Sequence, residues 1–109
     1  MKLEDLTILY AEDEEGIAHT VCEVLELYVN RVIYAKDGNE ALELYKIYKP
    51  SILLLDICMP KIDGLEVLKI IRKTDLTTPV IIMTAHTEQH YLLNAVELYI
   101  SKYLIKPFD

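Results

Sequence analysis

Short apolar runs separated by stretches of helical periodicity constrain this chain more than any other feature. Thr7-Ile8-Leu9-Tyr10-Ala11 opens the series, and residues 32–35, 52–55, 80–83 and 103–105 continue it. The run Ile52-Leu53-Leu54-Leu55 is apolar at every position. Both faces of such a strand need cover, which places it inside a parallel sheet with helices on either side. Between the runs, apolar residues recur at three- and four-residue spacing. Ile17, Val21, Val24, Leu25 and Tyr28 fall on one helical face, and Ala41, Leu42, Tyr45 and Tyr48 on a second. Val67, Leu68 and Ile71 make a third, and Leu92, Ala95, Val96 and Tyr99 a fourth. The punctuation agrees: Asp37-Gly38-Asn39 turns into the second helix, Pro50 stops it, Gly64 opens the third, and Pro79 introduces the fourth strand. Five strands separated by single helices, joined by right-handed crossovers, predict an α/β domain with a doubly wound five-stranded parallel sheet.

With 109 residues, 52% of them hydrophobic, the chain can bury one core. It reads as a single domain over residues 1–109, without internal repeat or linker. Eighteen acidic against eleven basic residues give a net charge of -7, which argues against direct nucleic-acid binding and points to proteins or cations as partners. Cys22 and Cys58 lack the spacing of a zinc or redox site. The N-terminus has no secretory pattern, and no apolar run approaches the roughly 18 residues of a membrane helix. The expected location is the cytoplasm.

Sheets of this kind bind ligands at the carboxyl ends of their strands. Asp13, Asp56, Thr84 and Lys106 each fall at, or within two residues of, such an end, and Glu12 adjoins Asp13. Carboxylates gathered there repel one another unless a cation or proton intervenes. A hard cation such as Mg²⁺ is the natural guest, with the Lys106 ammonium facing a phosphoryl group. Each residue alone also has a plainer use. Glu12 and Asp13 suit the start of the first helix, Asp56 a strand-terminating turn, Thr84 a loop or cap, and Lys106 the solvent.

Taken together, Glu12-Asp13, Asp56-Ile57-Cys58-Met59-Pro60-Lys61-Ile62-Asp63-Gly64, Thr84-Ala85 and Tyr103-Leu104-Ile105-Lys106-Pro107-Phe108 resemble a response-regulator receiver domain across essentially the whole chain. The resemblance implies strand order 2-1-3-4-5 and makes Asp56 the acceptor of a phosphoryl group from a histidine kinase or phosphotransfer protein. Mg²⁺ would be held by Asp13, Asp56 and the Cys58 backbone carbonyl, with Glu12 acting directly or through water. Thr84 and Lys106 would neutralise phosphoryl oxygens. Thr84 and Tyr103 would form a hydroxyl–aromatic switch acting on a downstream output domain or protein. Cys58 and His86 lie two residues beyond Asp56 and Thr84 and are expected to tune dephosphorylation. The resemblance suggests a cis Lys106-Pro107 bond, whereas the sequence alone favours the ordinary trans form.

Such a domain is a signalling switch rather than an enzyme, although it promotes its own Mg²⁺-dependent phosphorylation and dephosphorylation. Two alternatives stand beside it. One is a receiver that binds proteins without phosphorylation; the other is a flavodoxin-like electron carrier, whose flavin phosphate the Glu12-Asp13 loop would repel. The chain departs from the family pattern at Tyr99, where receivers usually carry Gly. It also stops at Phe108-Asp109, where a fifth helix is expected. The apolar sheet face left bare would then be covered by another segment, a dimer partner or a swapped element.

Overall fold

The computed structural model describes residues 2–84 and 102–105, with backbone alone at Thr84 and at Lys102–Ile105. After a 3-10 turn at Leu3–Asp5 come β1 (Thr7–Ala11), α1 (Glu15–Leu25), β2 (Arg31–Ala35), α2 (Gly38–Tyr48), β3 (Ile52–Asp56), α3 (Gly64–Ile71), β4 (Val80–Thr84) and β5 (Lys102–Ile105). The strands form one sheet in the order β2-β1-β3-β4-β5, and every neighbouring pair is parallel. This is the doubly wound order expected from the sequence. The fourth predicted helix, with Tyr99, lies outside the described residues. So do His86, Lys106 and the Lys106-Pro107 bond.

Strand alternation divides the core in two. Leu9, Ala11, Ile33, Ala35, Leu53, Leu55, Val80 and Ile82 point to one side, where Ala41, Leu65, Val67, Leu68 and Ile71 close over them from α2 and α3. Ile8, Tyr10, Leu54 and Met83 point to the other, where α1 covers them with Ala18, Val21, Cys22 and Leu25. The expected inner face of α1 is therefore rotated. Val21 and Leu25 are inward as predicted, but Ile17, Val24 and Tyr28 are exposed. Small Ala18 lets the helix approach the sheet, and α1 ends before Tyr28 can join its periodicity.

Helix boundaries follow local chemistry. Asp37 caps α2 by accepting from the Glu40 N–H at 2.8 Å, and Asp63 caps α3 by accepting from the Glu66 N–H at 2.9 Å. Lys49 ends α2 in the left-handed conformation, φ 45°. The segment from β3 to α3 contains a second left-handed residue, Lys61, φ 67°. Gly64 is required by contact: a Cβ there would stand 2.3 Å from the main-chain oxygen of Asp56. Gly38 is similarly pressed against Ile62, whose carbonyl oxygen would lie 2.5 Å from an added Cβ. The segment that follows Asp56 is thereby held against the end of β3 and the start of α2.

Candidate functional site

The ladder between β1 and β3 pairs Ala11 with Leu55. One step further along both strands stand Glu12 and Asp56. The Glu12 N–H donates to the Ala35 carbonyl at 3.1 Å, and the Ile57 N–H to the Met83 carbonyl at 2.9 Å. The two acidic residues thus leave a sheet that is still hydrogen-bonded where they emerge.

Carboxylate oxygens of Glu12, Asp13 and Asp56 all lie within 4.8 Å of one another. Glu12 and Asp56 are buried, at 0% and 3% exposure, whereas Asp13 faces solvent. The cluster therefore has a dry floor and an open mouth. Hard oxygen donors in this arrangement suit Mg²⁺, which takes one or two carboxylates and keeps several waters. Asp56 also serves its own turn, one oxygen accepting from the Cys58 N–H at 3.3 Å. The plainer role of Asp56 as a turn residue is real and coexists with its place in the cluster.

Glu12 and Asp13 are not the cap of α1. That position belongs to Glu14, whose side chain makes no capping hydrogen bond. Glu12 instead receives donors from several directions: the Tyr10 hydroxyl at 3.3 Å on one oxygen, the Glu14 N–H at 3.4 Å on the other, and the Tyr34 hydroxyl at 2.6 Å on its main-chain carbonyl. Burial, then the charge of Glu12, pushes the Tyr10 phenol well above the ordinary tyrosine range. Burial, followed by the charges of Glu15 and Glu12, also raises the Tyr34 phenol. Both phenols therefore stay protonated and act as donors at neutral pH.

Tyr10 and Tyr34 are the residues that sequence reasoning missed. The signal available was spacing: residues two apart on a strand share a face, and Tyr10 stands two before Glu12. Of the other predicted residues, Thr84 is the last residue of β4, on the strand beside Asp56, with its backbone paired to Ile105. Tyr103 is in β5, paired with Ile82. The Cys58 side chain is exposed.

A second polar cluster lies toward the opposite edge of the sheet, before β4. One Asp75 carboxylate oxygen accepts from the Tyr45 and Thr78 hydroxyls, each at 2.5 Å. The other accepts from the Thr77 and Thr78 N–H groups, each at 3.0 Å. These donors, the Thr78 hydroxyl foremost, hold the Asp75 carboxyl far below the usual carboxylate range. With so many donors from its own loop, Asp75 organises the α3–β4 connection.

Residues 8–109 match the family model described as the response regulator receiver domain. The chain belongs to that family. Among similar proteins, this receiver is 39% identical over 102 residues to the alkaline phosphatase synthesis transcriptional regulatory protein PhoP of Bacillus subtilis, covering 94% of the chain and 42% of that protein. It is 36% identical over 104 residues to the transcriptional regulatory protein DltR of Streptococcus agalactiae, covering 95% of the chain and 46% of that protein. The receiver thus spans less than half the length of these relatives. Among solved structures, the N-terminal domain of a Wolinella succinogenes protein superposes with a TM-score of 0.91 at 32% identity, covering 95% of this chain and 84% of that one. Chemotaxis protein CheY4 of Vibrio cholerae gives 0.88 at 26% identity, covering 96% and 89%. No helix among the described residues is long and apolar enough to cross a membrane.

Proposed function

We propose that this receiver, residues 1–109 acting as one domain, carries a phosphoryl group on Asp56 and passes the change to a downstream output. The observation that supports this most is the convergence of Glu12, Asp13 and Asp56 within 4.8 Å at the ends of adjacent strands. An Asp56 carboxylate oxygen attacks phosphorus while the bond to the donor imidazole nitrogen of a histidine kinase or phosphotransfer protein breaks. The electron pair returns to that nitrogen, leaving an acyl phosphate on Asp56.

Phosphoryl transfer asks mainly for positioning and charge neutralisation. Asp13, Asp56 and the Cys58 carbonyl would hold Mg²⁺, with Glu12 supporting it directly or through water. When bound, the ion would supply positive charge that offsets the carboxylates and a phosphoryl oxygen. Lys106 and Thr84 take the remaining oxygens. As Thr84 turns toward the acyl phosphate, Tyr103 changes its packing, which shifts the population between two states read by the output. Cys58 and His86, two residues beyond Asp56 and Thr84 in the sequence, set the lifetime of the phosphoryl group. The domain works in the cytoplasm, within reach of its kinase.

The test is incubation with acetyl phosphate and Mg²⁺, followed by intact mass. Wild type gains one phosphoryl group, and Asp56→Asn or wild type with EDTA does not. Absence of any Asp56-dependent gain refutes the proposal and favours a receiver that binds partners without phosphorylation.

A further inference from the structure

Tyr10 is completely buried within β1. An aliphatic side chain would fill much of that space without carrying a hydroxyl that needs a partner. The partner it has is the buried carboxylate of Glu12, 3.3 Å away. Tyr34 reaches the same residue from the neighbouring strand, donating to its main-chain carbonyl at 2.6 Å. The two rings stand 6.1 Å apart and tilted by 53°, so the phenols form one packed unit. Glu12 is thus held at both carboxylate and backbone while its carboxylate lies within 4.8 Å of those of Asp13 and Asp56.

We propose that Tyr10 is a positioning residue for the cation: its hydroxyl holds the Glu12 carboxylate in the orientation that supports Mg²⁺ beside Asp13 and Asp56. The inference rests on the metal reading given above. A carboxylate oxygen has a second lone pair, so accepting from Tyr10 leaves capacity for the ion or one of its waters. At 3.3 Å the hydrogen bond is longer than usual for a hydroxyl donor. It therefore acts as a restraint, and its loss changes affinity by about threefold to tenfold.

The experiment measures Mg²⁺ affinity by NMR titration of the whole chain in wild type, Tyr10→Phe, Glu12→Gln and the double variant. Tyr10→Phe weakens Mg²⁺ binding by about threefold to tenfold in the wild-type background and by less than about twofold when Glu12 is already Gln. Unchanged affinity in Tyr10→Phe, or equal weakening in both backgrounds, overturns the inference. A measurement without any variant guards against misfolding of Tyr10→Phe: in wild type, the Tyr10 ring resonances move along the same isotherm as the Asp13 and Asp56 amides. Silent Tyr10 resonances while those amides respond also overturn it. If the Asp13 and Asp56 amides themselves ignore Mg²⁺, the metal reading fails and carries the inference with it, an outcome distinct from a failure at Tyr10 alone.

Discussion

Asp56→Asn separates charge from shape at the acidic cluster. The amide retains an oxygen that can accept from the Cys58 N–H, now at 3.3 Å, and removes one negative charge from three carboxylates gathered within 4.8 Å. At that separation two unit charges repel by about 3.5 kcal/mol at an effective dielectric constant near 20, and by about 0.9 kcal/mol in water. Glu12 is buried, so its repulsion with Asp56 tends toward the larger figure. Asp13 is exposed and contributes toward the smaller. After neighbouring donors have offset part of this, the metal-free variant is expected to be about 1–3 kcal/mol more stable than wild type. For a domain of this size, that raises the melting temperature by about 5–15 °C. Urea and thermal denaturation followed by circular dichroism in EDTA measure the difference. Saturating Mg²⁺ should then stabilise wild type more than the variant and narrow the gap. A variant no more stable than wild type in EDTA would refute the reasoning, showing that a bound proton or fixed donors already cancel the third charge.

Gly64→Ala drives a Cβ to 2.3 Å from the Asp56 carbonyl oxygen, and backbone cannot yield there as a flexible side chain would. A loss of about 2–3 kcal/mol in urea denaturation is expected, together with slower phosphorylation by acetyl phosphate. Tyr45→Phe should alter the alkaline limb of stability. Burial, then the hydrogen bond to Asp75, pushes the Tyr45 phenol up to about 12 from its ordinary 10.0. Because the folded value is raised, the stabilisation is complete below pH 10 and declines as pH rises toward 12. The gap between wild type and Tyr45→Phe, measured by urea denaturation across that window, should shrink; a gap that is flat or grows refutes the sign.

Much of the architecture could be read because the strand signals are unusually unmixed. Ile52-Leu53-Leu54-Leu55 has no polar position, and β3 occupies the centre of the sheet. Alternation at β2, where Ile33 and Ala35 take one face while Val32 and Tyr34 take the other, fits its place at an edge. The gathering of Glu12, Asp13 and Asp56 was legible for a related reason: a polar residue that ends a buried parallel strand has to emerge at the sheet's carboxyl edge. The inward face of α1 was harder. Helical spacing favours the bulky Ile17, Val24 and Tyr28, but close approach to the sheet selects Ala18 and Cys22. Tyr10 was hidden by its chemistry. A tyrosine inside an apolar strand reads as core volume, and only the strand geometry reveals that its hydroxyl meets an acidic residue two positions on.

The placement of β3 has a mechanical consequence. Its ladders to β1 and β4 clamp Asp56's strand from both sides, and the Gly64 backbone is wedged against its final carbonyl. Under the proposed function Asp56 is mounted like an anvil: a charge added to it cannot be accommodated by sliding the strand beneath it. Any displacement that reports the event has to be taken up by the segments that rim the carboxyl edge.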